Sequence, residues 1–171
     1  MATDNKTITF KGNPIEVQGD SLSPGQHVPD FNLVGTDMSE VGINDFSGKV
    51  LVISSVPSLD TPVCSVQTKH FNQSLETLGS QVAVLTVSRD LPMAQKRWCG
   101  AEGVENVTCA SDYKHRTFGK AFGVELPTLA LLARAVVVVD TQGKIAHVEY
   151  VSEIAEEPDY DAAIAAVKEL L

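Results

Sequence analysis

The positions from Val50 to Val56 (Val50-Leu51-Val52-Ile53-Ser54-Ser55-Val56) are nearly all apolar or β-branched, with no charge among them. That is the pattern of a strand buried on both faces. Downstream, Val63, Val66, Phe71, Leu75 and Leu78 recur at helical spacing, which predicts a helix from about Pro62 to Leu78, ended by Gly79. Val82-Ala83-Val84-Leu85-Thr86-Val87 reads as a second buried strand. Asp90 is then placed to cap a second helix, with Leu91, Ala94 and Trp98 on one face and Gly100 just beyond its end. Strand, helix, strand and helix in that order predict a right-handed crossover unit on a parallel sheet.

The flanking segments have a different character. Thr7-Ile8-Thr9-Phe10 and Ile15-Glu16-Val17, joined through Lys11-Gly12-Asn13-Pro14, read as a β-hairpin. Phe31-Asn32-Leu33-Val34 is a short extended piece after a loop punctuated by Pro24, Gly25 and Pro29. A weak helix is expected over Tyr113 to Phe122. Ala135 to Val139 and Ile145 to Val151, around a turn at Asp140-Thr141-Gln142-Gly143, predict an antiparallel hairpin. Ile164, Val167, Leu170 and Leu171 make Tyr160 to Leu171 an amphipathic final helix. The sum is an α/β chain of thioredoxin-like arrangement, a central mixed β-sheet flanked by helices with an N-terminal β-hairpin. No repeat or Gly/Ser linker interrupts it, so residues 1–171 are expected to form one domain, with 1–18 as a hairpin extension.

Composition narrows the function classes. With 171 residues, 43% hydrophobic and 20% charged, the chain can bury a core without staples. The net charge of −9, from 22 acidic and 13 basic side chains, repels nucleic acid and anionic membranes, so neither is expected as a partner. The first residues lack the apolar core of a signal peptide. The run from Leu129 to Val139 is broken by Arg134 and too short to span a bilayer. A cytoplasmic location is therefore the expectation. There three cysteines would stay reduced, and any disulfide should be transient and part of the chemistry.

Chemistry concentrates at Pro57-Ser58-Leu59-Asp60-Thr61-Pro62-Val63-Cys64. Thr61 suits an N-cap and Pro62 the first helical position, which puts Cys64 in the first turn of the predicted helix. Unpaired N–H groups and the positive end of the helix dipole favour an anion there, and the thiolate is the nucleophilic form of cysteine. Pro57 stiffens the loop, and the Thr61 hydroxyl can both donate and accept beside the sulfur. The competing reading is a buried structural cysteine at an ordinary helix start.

Cys99 and Cys109 complete the thiols, and the absence of any C-x-x-C pair disfavours dithiol exchange of the thioredoxin kind. His27, His70, His115 and His147 show no ligand spacing to each other or to cysteine, so no zinc or other metal site is expected. Arg134 interrupts an apolar stretch, and a guanidinium there requires a partner or an anion. A salt-bridged strand start and a group that reaches the thiolate from the neighbouring strand remain equal alternatives on the residues alone.

The spacing Pro57-x-x-x-Thr61-x-x-Cys64 matches the active-site motif of the peroxiredoxins. "VPDFNLV", "DTPVCS", "DLPMAQKRWCGAEG" and "LLARAVVVVD" extend the resemblance, over essentially the whole chain, to the thiol peroxidase subfamily, the atypical 2-Cys peroxiredoxins. The resemblance implies that Cys64 is the peroxidatic cysteine, whose thiolate attacks a hydroperoxide and becomes a sulfenic acid. It implies that Thr61 and Arg134 orient the peroxide, that Pro57 shields the site, and that Cys99 is the resolving cysteine of an intramolecular disulfide. It further implies reduction of hydrogen peroxide and organic hydroperoxides to water and alcohols without a metal, haem, flavin or other cofactor, thioredoxin as reductant, and a homodimer. For Cys109 it implies nothing, and a structural role is expected.

A disulfide needs Cα atoms within about 7 Å, whereas Cys64 is expected at one helix start and Cys99 at another helix end. Local unwinding around both is therefore expected in each cycle, eased by Gly100 and Gly103. Two other classes compete: a thioredoxin-fold interaction module or redox-responsive chaperone whose cysteines only sense oxidation, and a Cys-His acyl-transfer enzyme. The last needs a histidine within hydrogen-bond reach of Cys64.

Overall fold

Side chains alternate across the central strands, and that alternation builds two cores. In the strand Val50–Ser55, Val50 and Val52 join one buried cluster, whereas Leu51 and Ile53 join the other. The computed structural model describes residues 6–171; the first residues of the expected 1–18 extension lie outside them.

The chain opens with the antiparallel hairpin β1 (Lys6–Phe10) and β2 (Asn13–Val17), as the sequence predicts. Strands β3 (Asn32–Gly35) and β4 (Glu40–Gly42) form a second, shorter pair. Next come β5 (Val50–Ser55), α1 (Pro62–Glu76), β6 (Val82–Ser88), α2 (Pro92–Glu102) and β7 (Val107–Ser111), which make two successive crossover units. A short helix α3 (Phe118–Ala121) leads to a two-residue ribbon, β8 (Glu125–Leu126) with β9 (Leu131–Leu132). The hairpin β10 (Ala135–Val139) and β11 (Ile145–Tyr150) and the helix α4 (Tyr160–Glu169) close the chain.

The main sheet has seven strands in the order β11-β10-β5-β6-β7-β3-β4. Strands β5, β6 and β7 are parallel, and β10, β11, β3 and β4 extend them antiparallel on either side. Helices α1, α2 and α4 contribute Phe71, Leu75, Trp98, Ala163 and Val167 to the cluster on one face, with Val84, Val136 and Val138 from the strands. The opposite face packs under Ile8 and Val17 of the first hairpin and under Phe31, Phe118 and Phe122, whose last two rings stack at 4.1 Å. This is the expected mixed sheet flanked by helices.

Several local expectations need correcting. The helix expected over Tyr113 to Phe122 is helical only from Phe118 to Ala121. Arg116 takes a left-handed φ of 57°, which an α-helix does not tolerate. Gly100 does not end α2; the helix runs to Glu102 and stops at Gly103, whose φ of 66° and N–H to the Cys99 carbonyl make the left-handed cap. Asp90 does not cap α2, whose N-cap is Leu91 without a side-chain bond. Strand β7, unforeseen, pairs with β6 and sets Cys109 opposite Thr86.

The first hairpin is tied to the chain after β11 by backbone bonds, from the Thr9 N–H to the Ser152 carbonyl and from the Ile154 N–H to the Thr9 carbonyl, both at 2.8 Å, and by one carboxylate. Glu153 accepts from the Lys11 N–H at 2.8 Å, the Gly12 N–H at 3.2 Å and the Thr9 hydroxyl. These bonds, the Thr9 hydroxyl foremost, hold its carboxyl down at about 2. A depressed carboxyl stabilises the fold fully above the ordinary carboxylate range and loses that contribution as the pH falls toward its folded value. Acidification should therefore loosen the β1–β2 hairpin before the central sheet. Glu153→Gln should produce the same loosening at neutral pH, read as faster amide exchange at Lys11 and Gly12 with β5 and β6 still protected.

Candidate active site

Strand β5 delivers the chain into the loop that carries the motif, and α1 carries it away. Pro62 is the first helical residue after Thr61, which has an extended backbone (φ −109°, ψ 148°). Pro62 has no N–H, and among the described residues the N–H groups of Val63 and Cys64 donate to no carbonyl; the first such bond runs from Ser65 to Thr61 at 3.0 Å. Two orphan donors and the positive end of a helix of 15 residues thus surround Cys64. Cys64 is fully buried, and its carbonyl accepts the Thr68 hydroxyl at 2.9 Å.

Thr61 is the N-cap residue, but its side chain does not cap the helix. Its hydroxyl donates to the Ser58 carbonyl at 2.8 Å, which closes the loop on itself. With its proton committed there, the Thr61 oxygen presents lone pairs only. The loop is pinned from below by Asp90, which accepts from the Ser58 hydroxyl at 2.7 Å, the Leu59 N–H at 2.8 Å and the Ser88 hydroxyl at 2.7 Å. The Asp90 carbonyl in turn accepts the hydroxyl of Ser111 at the end of β7.

Arg134 lies just before β10, and only 2% of it is exposed. Its Nε and one Nη donate to the Ile154 carbonyl at 3.1 and 2.8 Å, and the other Nη donates to Gln67 Oε1 at 2.9 Å. Gln67 passes the chain on to the Ser54 hydroxyl at 2.6 Å. Among the described residues Arg134 has no carboxylate partner, so the salt-bridged strand start is not what its site provides. Three of its five N–H groups are engaged, which leaves two for an anion. Gln67 stands three residues after Cys64, on the same face of α1. The guanidinium is thereby tied to the helix that carries the thiol.

Pro57, Thr61 and Arg134 line a single cleft of ≈ 400 Å³, whose other walls include Phe10, Leu129, Leu131 and Ile154. Three of the five expected residues therefore line one cleft; Cys64, next in the chain after Val63 of the cleft wall, is buried behind it and does not line it. Cys99 is elsewhere. It sits inside α2, and its sulfur lies 3.2 Å from that of Cys109. Gln67, Asp90 and the apolar walls escape a reading of the sequence. Only the i+3 spacing from Cys64 marks Gln67, and Asp90 reads as a helix cap.

No histidine among the described residues lines this cleft. His70 stacks on Tyr160 at 3.8 Å and His115 meets Glu40 at 3.1 Å. Among the described residues none hydrogen-bonds Cys64, which removes the base an acyl-transfer site needs. No described helix is long and apolar enough to cross a membrane.

Residues 23–164 match the redoxin family model. The chain is 50% identical over 163 residues to a thiol peroxidase of Streptococcus pneumoniae, an alignment that covers 95% of this chain and 99% of the relative. It is 46% identical over 164 residues to a thiol peroxidase of Bacillus subtilis, covering 96% and 98%. Among solved structures, a peroxiredoxin-like protein from Aquifex aeolicus superposes over all of both chains with a TM-score of 0.90 at 42% identity. A thiol peroxidase from Chromobacterium violaceum shares the fold, with a TM-score of 0.86 at 20% identity over 95% and 96% of the chains.

The Asp90 latch yields an outcome that does not depend on chemistry. Asp90→Ala strands the Leu59 N–H and two hydroxyls, and should lower stability by about 1–3 kcal/mol. Denaturant titration measures the loss, and amide exchange at Leu59 should accelerate more than exchange in β5.

Proposed function

Because the chain belongs to the redoxin family, among its thiol peroxidases, it is a hydroperoxide-reducing enzyme, and we propose that Cys64 performs the reduction with Thr61, Arg134 and Pro57 around it. The Cys64 thiolate attacks the terminal peroxide oxygen. The O–O bond breaks, the remaining oxygen takes up a proton and leaves as water or an alcohol, and Cys64 becomes a sulfenic acid. The observation that carries this reading is the meeting in one cleft of a buried, carboxylate-free guanidinium with a hydroxyl that can only accept. A hydroperoxide needs both. Its O–H donates to Thr61, while the negative charge that grows on the departing oxygen is met by the free N–H groups of Arg134 and the orphan N–H groups of the helix. Pro57 closes one side of the cleft against water.

The walls of Phe10, Leu129, Leu131 and Ile154 support acceptance of organic hydroperoxides beside hydrogen peroxide. Cys99 resolves the sulfenic acid in this proposal: its thiolate displaces the hydroxyl, which leaves as water, and a Cys64–Cys99 disulfide forms. Both cysteines sit inside helices and the sulfur contact of Cys99 is with Cys109, so in this proposal the first turn of α1 and the end of α2 open for that step. A thioredoxin-type dithiol then restores the two thiols. A homodimer, in which the exposed Leu91 and Met93 find cover, and a cytoplasmic setting belong to the same proposal. So does a single domain that includes the hairpin ahead of the matched segment.

Oxidation of NADPH in the presence of thioredoxin, thioredoxin reductase and peroxide tests it. Cys64→Ser should abolish turnover. Cys99→Ser should consume about one peroxide per chain and stop, since only the first of two steps remains. A Cys64→Ser protein that still turned over would end the proposal, and a chain that merely senses oxidation would not consume NADPH catalytically. Arg134→Ala should slow single-turnover attack by about 10²–10³-fold, the usual loss for one transition-state donor. Thr61→Val should fall well below Thr61→Ser, which keeps the accepting oxygen.

A further inference from the structure

Cys109 was expected to be structural, yet its surroundings are those of a working thiol. Residue 109 sits on β7 with its side chain on the helix-covered face, in the same buried cluster as Cys64. Its sulfur lies 3.2 Å from that of Cys99. A disulfide there requires the two sulfurs to close by about 1.2 Å, to the usual S–S length of about 2.05 Å, with α2 and β7 in place. The Cys64–Cys99 disulfide, in contrast, joins residues of two separate helices, which open for it in the proposal above. The two sulfurs also line a groove of ≈ 390 Å³ with Lys96, Asp37 and Ser39, separate from the peroxide cleft. Cys64 borders no part of that groove.

We propose that Cys109 is a third redox cysteine, which takes over the resolving disulfide by exchange at Cys99 and returns Cys64 to its thiolate while the chain stays oxidised. The proposal rests on the peroxidase reading above. In the exchange, the deprotonated Cys109 sulfur attacks Cys99 Sγ, the Cys99–Cys64 bond breaks, and Cys64 leaves as a thiolate. The proton that Cys109 gives up passes to solvent or to Cys64. One S–S bond forms and one is lost, so no further oxidant is needed. Two features drive the step forward. The helices can close again once Cys64 is released, and the leaving thiolate returns to the unpaired N–H groups at the start of α1. The external dithiol then attacks the Cys99–Cys109 disulfide from the groove.

The reduced pair is asymmetric in a way that sets the rate. The hydrogen bond between the two sulfurs holds the Cys99 thiol below its ordinary value and pushes Cys109 up, with burial adding to the latter. Cys99 is thereby readied for attack on the sulfenic acid. Cys109, as the less acidic thiol, passes the disulfide on more slowly and does so faster as the pH rises.

Stoichiometry distinguishes the relay. Without reductant, the wild type should consume about two peroxides per chain in the fast phase: one to make the disulfide, and one at the regenerated Cys64, which stops as a sulfenic acid. Cys109→Ala should consume about one, a twofold difference. Trypsin makes the sulfurs visible, because Cys99 and Cys109 share the peptide 98–114 while Cys64 lies in 50–69. After one equivalent of peroxide and alkylation, the wild type should show the cross-linked peptides giving way to a 98–114 peptide two hydrogens lighter, with Cys64 alkylated. In Cys109→Ala the cross-link should persist. A wild-type cross-link that forms and persists as in Cys109→Ala overturns the relay alone. Failure to consume peroxide or oxidise Cys64 overturns the peroxidase reading, and the relay with it. Cys64→Ser in a glutathione redox buffer adds a test independent of peroxide: the light 98–114 peptide should form with the protein folded, and its absence under buffer that oxidises a free dithiol would equally overturn the relay.

Discussion

A guanidinium taken out of water must have its hydrogen bonds supplied, and that requirement at Arg134 organises the site. Arg134 draws Gln67 from α1 and, through it, Ser54 from β5. It also gathers the Ile154 carbonyl, and Ile154 donates its own N–H to Thr9 of the first hairpin. One buried cation thus fastens the helix that carries Cys64, the central sheet, the segment after β11 and the hairpin that walls the cleft. None of these partners carries a charge. A carboxylate in the place of Gln67 would neutralise the cation and hold it more tightly, at the expense of its attraction for a thiolate or a developing alkoxide. The neutral amide keeps the geometry and leaves the charge available.

Much of this arrangement is legible in the chain. Strands β5 and β6 announce themselves because both faces are buried and almost every residue is branched and apolar, and α1 by the spacing of its core residues. Pro62 and Thr61 mark where α1 begins. Other parts are hidden for identifiable reasons. Strand β7 has two polar side chains in five residues, Thr108 and Ser111, and gains its place only from pairing with β6. Gly100 resembles a helix stop, but a glycine in a right-handed turn is merely permissive, and the left-handed turn that ends α2 falls at Gly103. Asp90 has the composition of a cap and the geometry of a latch. Gln67 shows how a site residue can be invisible: a buried amide on a helix carries no pattern until its partner across the fold is known.

The three cysteines illustrate the same limit. Cys64 is readable because its setting is local structure, a helix start after a strand. Cys99 has no such local mark, and the resemblance to thiol peroxidases is what singles it out. The contact with Cys109 depends on the register of β7 against β6 and on the azimuth of α2 above the sheet. Neither quantity follows from spacing.

Asp90 touches all three cysteine-bearing segments. Its carboxylate holds the loop before Cys64, its carbonyl holds the end of the strand with Cys109, and its main chain leads into the helix with Cys99. The loop before Cys64 and the strand with Cys109 are therefore not independent bodies: a rupture of the bonds at Asp90 removes restraint from both at once, and the stability of that corner of the fold is shared rather than local.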